Sequence, residues 1–455
     1  MSHAAVLLAI GLMCVALVAH AEPPVSVAGD WDGALKVPAG IEIPLILHLT
    51  ETGATLDSPD QNAAGVPATL SRNGDAIVVE IPSSKARFTA TLSADGQSLV
   101  GTFSQGGMNL PAHFNRRAPG AAAPQRDRPQ TPHPPFPYAN QEVSFAGGGD
   151  AVLAGTLSRP PGAGPFPAVV MIAGSGPQNR DETVAGHKIF LVIADRLTRA
   201  GVAVLRYDKR GVGASKGSYA QATGADFTAD AEAAAAFLRG QPGIATDKIG
   251  LLGHSEGAEI APRVAEHDPH IAFVVLLSAP AVNGAEIISS QQKAILLASG
   301  VPEAAASAQN QVQLRVLDAV GQAADEASAK AAAEKILVEA GMPAATAAAQ
   351  ASQVASPWFR EFLSDDPGPA LRKLRQPTLV VSGSKDLQVL PELNLPVIRQ
   401  ALADNKDARI VELDGLNHLL QPATTGTPQE YGTIAISVAP AALDLITDWV
   451  VERTR

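Results

Sequence analysis

Two five-residue segments of this 455-residue chain place a serine between glycines: Gly253-His254-Ser255-Glu256-Gly257 and Gly213-Ala214-Ser215-Lys216-Gly217. A serine hydroxyl is a weak nucleophile until a base removes its proton. Glycines flank such a serine where it sits on a sharp turn from strand to helix, because that turn leaves no room for neighbouring side chains. The pattern occurs twice here, so context must choose. The strand-like run Lys248-Ile249-Gly250-Leu251-Leu252 leads straight into the first segment, and Ala258 to Glu266 has helical composition behind it. A helix opening there also favours developing negative charge. Ser215 lies nine residues beyond the strand-like run Val202 to Arg206, and Ser218-Tyr219-Ala220-Gln221 opens no obvious helix. Ser255 is therefore the candidate nucleophile, and Ser215 reads as a loop serine.

A nucleophile on such a turn is followed in the chain by an orienting acid and then a histidine base. The base candidate is His418 in Asp414-Gly415-Leu416-Asn417-His418-Leu419, on the loop after the last strand-like run, Arg409 to Leu413. His254 adjoins the nucleophile but should point elsewhere, and His267 and His270 lie past the following helix. The acid candidate is Asp386 in Ser382-Gly383-Ser384-Lys385-Asp386, directly after the run Thr378 to Val381. Asp404 and Asp407 fall at a surface-like helix end, and Asp414 is too near His418 in sequence to reach its ring comfortably. An oxyanion needs two convergent backbone N–H donors. The candidates are the amides of Glu256, just after the nucleophile, and of Ser175, in Gly174-Ser175-Gly176-Pro177 after the run Ala168 to Ala173.

These residues need a scaffold. From Gln141 onward, apolar runs alternate with helical stretches, the signature of βαβ units around a mostly parallel buried sheet, an α/β fold. Its strands are expected at Ala168 to Ala173, Val202 to Arg206, Ile249 to Leu252, Phe273 to Leu277, Thr378 to Val381 and Arg409 to Leu413, with an opening hairpin around Gly147-Gly148-Gly149-Asp150. The Ala-rich stretch at about 284–368 far exceeds one crossover helix and reads as an inserted helical cap. Residues 22–115 show short alternating runs with Asn73-Gly74 and Asp95-Gly96 between them, and imply a small all-β domain. Residues 116–138, dense in Pro, Ala and Arg, read as a solvated linker to the 139–455 domain. Residues 1–21 contain an apolar run and end in Ala19-His20-Ala21, which reads as a secretory signal cleaved after Ala21. A secreted or periplasmic location follows as an expectation, with no stable membrane insertion of the mature chain.

The segments Gly174 to Asp181, Arg206 to Ser215, the Ser255 turn, Lys385-Asp386-Leu387-Gln388-Val389 and Asn417-His418 occur in order, and together the chain resembles the α/β-hydrolase superfamily. Within it the chain is similar to secreted bacterial carboxylesterases of the esterase D type, close to serine aminopeptidase-like hydrolases. The β-rich region with Leu56-Asp57-Ser58-Pro59-Asp60-Gln61 also looks like the module preceding some of these enzymes. The resemblance implies hydrolysis of carboxylic esters through an acyl-enzyme, with Ser255, Asp386 and His418 as the triad, and makes Arg206 to Ser215 a scaffold loop near the oxyanion turn.

The remaining composition narrows the alternatives. A net charge of −11 argues against a nucleic-acid partner, since phosphate binding needs a basic surface. The one cysteine, Cys14, lies in the leader, so thiol catalysis and disulfides are not expected. Scattered histidines without a His-Glu-x-x-His motif give no support for a metal, and no cofactor is expected. The expected partner is a small-molecule ester. Competing readings are an amidase or aminopeptidase that anchors a free amine on Glu361, Asp365 or Asp366, and a non-catalytic envelope binding protein that kept the fold. Acyl and alcohol preference and oligomeric state are not set by the sequence.

Overall fold

The computed structural model describes residues 25–36, 42–58, 63–105, 108–121 and 128–455. The expected signal segment at 1–21, with Cys14, lies outside the described residues.

Eight strands open the chain: β1 Gly29–Lys36, β2 Glu42–Leu49, β3 Ala54–Ser58, β4 Ala63–Asn73, β5 Ala76–Ile81, β6 Ala86–Leu92, β7 Ser98–Gln105 and β8 Met108–Arg116. Each runs antiparallel to the next, and β1 pairs back onto β8, with Trp31 opposite Arg116 and Leu35 opposite Ala112, so the sheet closes into a barrel. Closure is what short alternating strands achieve when no edge is left unpaired. The expected tight turns are present, Gly74 at φ 61° and Gly96 at φ 67°. Phe88 buries itself against Phe114, ring centroids 4.9 Å apart, and alternate residues along the strands face inward.

The expected solvated linker is in part not solvated. Arg128 donates through Nη1 to the Ile434 carbonyl and through Nη2 to those of Ala185 and Gly432, while Gln130 bonds the backbone of Ser437 and Val438. A side chain that satisfies three carbonyls at once gains more from docking than from water.

The second domain opens with the hairpin of β9 Ala139–Ala146 and β10 Val152–Arg159, then β11 Phe166–Ile172 and a small ribbon of β12 Thr183–Val184 and β13 His187–Lys188. The units that follow are α1 Ile189–Arg199, β14 Ala203–Tyr207, α2 Gly224–Arg239, β15 Ile244–His254, α3 Glu256–His267 and β16 Ile271–Leu277. Six helices then intervene: α4 Gly284–Ala298, α5 Glu303–Gln322, α6 Glu326–Glu339, α7 Ala344–Val354, α8 Pro357–Ser364 and α9 Gly368–Lys373. The chain returns through β17 Thr378–Gly383, α10 Pro391–Ala401, β18 Ala408–Leu413 and α11 Pro440–Thr454. The sheet order is β18-β17-β16-β15-β11-β14-β10-β9, parallel from β18 through β14. Ile260 and Val264 of α3, with Phe227 of α2, cover one face, and Ile446 and Trp449 of α11, with Ile193 of α1, cover the other. Chain order reverses at β11, which has β14 on one side and β15 on the other. A crevice opens beyond the strand ends at such a switch point.

Candidate active site

β15 runs into that crevice and ends at His254, so Ser255 stands at the N-cap of α3. The Ser255 N–H donates to the Leu277 carbonyl at 2.9 Å, and the Ser255 carbonyl accepts from Ala258 at 2.9 Å. Its backbone adopts φ 53° and ψ −119°, a conformation that costs an L-residue on the order of 1–3 kcal/mol and persists only where surroundings enforce it. The two glycines show the enforcement. A Cβ on Gly253 would lie 2.0 Å from the Gly257 carbonyl oxygen, and one on Gly257 would lie 1.9 Å from that of Ile172.

Asp386 follows β17 and His418 follows β18, so the parallel register of these neighbouring strands brings their loops to the same edge. His418 Nδ1 lies 2.8 Å from Asp386 Oδ2, and both residues are buried. Asp386 Oδ1 accepts the amides of Gln388 and Val389, each at 2.9 Å, which fixes the carboxylate plane. With Nδ1–H given to the carboxylate, His418 Nε2 is left as an acceptor. Ser255, His418 and Ser175 all line one cleft of about 980 Å³. Ser255 Oγ makes no hydrogen bond to the imidazole in this structure, and such contacts commonly tighten only around bound substrate.

Ser175 is exposed on the cleft wall. The neighbouring Gly174 N–H is already committed to Glu182 Oε1 at 2.7 Å, which leaves the Ser175 amide as the donor on offer from that turn. The Glu256 amide is in the first turn of α3, where N–H groups lack intrahelical acceptors. The Glu256 side chain is spent elsewhere, bonded to Lys209 Nζ at 2.6 Å and to Trp358 of α8. The 206–215 loop is built into this scaffold: the Lys209 amide donates to the Gln178 carbonyl at 3.2 Å, and Asp208 accepts the Arg180 amide at 2.8 Å.

One pair escaped the sequence reading. Glu182, buried and at φ 47°, meets His254 Nδ1 at 2.9 Å, while His254 Nε2 donates to the His418 carbonyl at 3.0 Å. Burial by itself would push the His254 imidazole down, but the Glu182 carboxylate outweighs it and holds the pKa above the ordinary 6.5. Through this pair the Gly174 turn, the Ser255 turn and the His418 loop share one network. No sequence spacing announces a contact between residues 72 apart. The His254 side chain is taken up by Glu182 and the His418 carbonyl, its ring 4.9 Å from that of His418.

The acidic residues considered as an amine anchor are engaged away from the cleft. Glu361 accepts the Gly224 amide at 2.8 Å, Asp365 pairs with Arg263, and Asp366 accepts the Gly368 amide at 2.8 Å. Among the described residues, the carboxylates on the cleft wall are those of Glu182 and Glu430. Among the described residues no cluster of three His, Cys, Asp or Glu could hold a metal ion, and no helix is long and apolar enough to cross a membrane.

Comparison with known proteins finds relatives of this chain. The model of the serine aminopeptidase, S33, family matches residues 187–421, a span that includes Ser255, Asp386 and His418. Esterase EstD of Thermotoga maritima is 30% identical over 304 residues, covering 66% of this chain and 66% of that protein. Among solved structures, the esterase Pf2001 of Pyrococcus furiosus is 16% identical with a TM-score of 0.44, covering 70% of this chain and 92% of that one. Est1E of Butyrivibrio proteoclasticus, solved with ferulic acid bound, is 14% identical with a TM-score of 0.40, covering 68% and 96%.

Proposed function

Since the chain belongs to the serine aminopeptidase S33 family of α/β hydrolases, we propose that it cleaves carboxylic esters through an acyl-enzyme on Ser255. The observation that carries this reading is the buried Asp386–His418 pair, whose His418 lines one cleft with Ser255. Ser255 Oγ attacks the ester carbon while His418 Nε2 takes its proton, and Asp386 stabilises the imidazolium. The amides of Ser175 and Glu256 donate to the oxyanion. His418 then gives its proton to the departing alcohol, leaving the acyl group on Ser255. Water attacks the acyl carbon as His418 removes its proton, and return of that proton to Ser255 Oγ releases the carboxylic acid. The 30% identity to a protein named as an esterase supports ester over other acyl substrates. Purified chain should hydrolyse p-nitrophenyl acetate, and equal turnover by Ser255→Ala would remove the proposal.

A second reading, cleavage of amides beside a free amino group, draws on one observation: Glu182 lines the cleft, and its Oε2 is buried without a hydrogen-bond partner. An ammonium group would satisfy it. Turnover of an amino-acid amide above that of the matched ester selects this alternative. In either reading residues 1–21 direct export, and a mature N-terminus at Glu22 is the expected product.

A further inference from the structure

The two ends of the barrel are filled differently. At the end where β1 starts and β8 finishes, Trp31, Leu47, Ile77, Leu99 and Phe114 occupy the lumen, and the Arg116 guanidinium lies 4.2 Å over the Trp31 ring. Toward the other end the described residues enclose a cavity of about 330 Å³, walled by residues that include Leu35, Leu45, Leu56, Val66 and Leu110. Eight strands give an interior that side chains either just fill or leave able to hold one small ligand, and this barrel does one at each end. The cavity's lining is mostly apolar, with Met108 49% exposed, and Ser83, Ser84 and Gln105 add polar groups. It also touches the catalytic cleft. Ile43, on β2, lines both the barrel cavity and the cleft that holds Ser255, a cleft also lined by Ala298 and Ser299 at the end of α4.

We propose that the barrel lumen is the binding pocket for the apolar tail of the ester substrate, which makes the preferred substrates esters with a long alkyl arm. The tail would leave the cleft past Ile43 and enter between Leu56 and Leu110, with room for about ten water-sized groups. Each buried methylene is worth about fourfold in binding, enough for the lumen to set chain-length preference. The inference rests on the esterase reading.

The test measures kcat/KM over p-nitrophenyl esters from acetate to laurate and over alkyl acetates of matched length, for the wild-type chain and for Ser84→Trp. Ser84 is an exposed residue on the cavity rim, where an indole can block the mouth without entering the barrel core. A second variant, Val66→Phe, narrows the cavity from its wall, and both are checked for unchanged melting temperature. The expected result is a wild-type rise with chain length in one series, and a long-to-short kcat/KM ratio about tenfold lower in either variant. A ratio unchanged by both variants, in both series, overturns the proposal. A wild-type chain that turns over no ester defeats the esterase reading instead, and the lumen is then judged by binding of fluorescent cis-parinaric acid to Ser255→Ala. Binding weakened at least tenfold by adding Ser84→Trp supports the pocket, and no binding, or equal binding, refutes it.

Discussion

At Ser255 the chain passes from a buried strand into a helix with a left-handed φ, glycines pressed against neighbouring backbone, and a hydroxyl facing a cleft. At Ser215, within the same spacing of glycines, the hydroxyl is consumed. It donates to the Asp208 carbonyl at 2.8 Å and accepts from the Ala154 amide at 2.9 Å, tying its loop to β10. One serine lines the cleft and the other is a strut. The difference lies in what precedes and follows each segment, since the five positions themselves carry the same glycine pattern.

The comparison breaks most decisively on activity. Ser255→Ala should lower ester kcat by about four to six orders of magnitude, whereas Ser215→Ala should keep kcat/KM within about twofold. Losses of equal size would erase the distinction. Asp386→Asn should cost about 10⁴ in kcat with little change in melting temperature, because it leaves His418 in the wrong tautomer while preserving the packing. Gly257→Ala drives a methyl into the Ile172 carbonyl and should destabilise by about 3 kcal/mol or more in urea titration, with activity lost alongside. Ser215→Ala removes both bonds of a buried hydroxyl and should cost about 1–3 kcal/mol by the same titration, its entire effect falling on stability.

The smallest effect is a pH dependence confined to the Ser255 side. The His254 pKa is raised in the folded chain, so the Glu182–His254 pair contributes fully below pH 6.5. That contribution is lost as pH climbs through the elevated folded value. The urea midpoint should therefore fall between pH 6 and pH 9 more steeply in wild type than in His254→Gln. Identical slopes would show that the pair does not hold the turn.

Much of this was legible in the chain because the determining signals are local. Apolar runs placed the parallel strands from Ala168 onward, although β15 is longer than its apolar core, extending back to Ile244. Strand and helix around Ser255 separated it from Ser215, and the loops after the last two strands supplied Asp386 and His418. What stayed hidden depends on pairings distant in sequence. Alternation in residues 29–116 marks strands but cannot say that β1 closes onto β8. A Pro-rich composition around Arg128 describes an extended backbone, yet three carbonyls contributed by residues 57 and some 300 positions away dock it. Glu182 lies one residue beyond the Gly174 to Asp181 segment, and only the fold reveals that it grips His254.

The central claim, that the cleft presents one activated serine and that it is Ser255, meets its most direct test in labelling the folded chain with a fluorophosphonate and locating the adduct by peptide mass. A single adduct on the peptide containing Ser255, absent in Ser255→Ala and retained in Ser215→Ala, is the predicted result. An unlabelled chain, or an adduct on the Ser215 peptide, would contradict it.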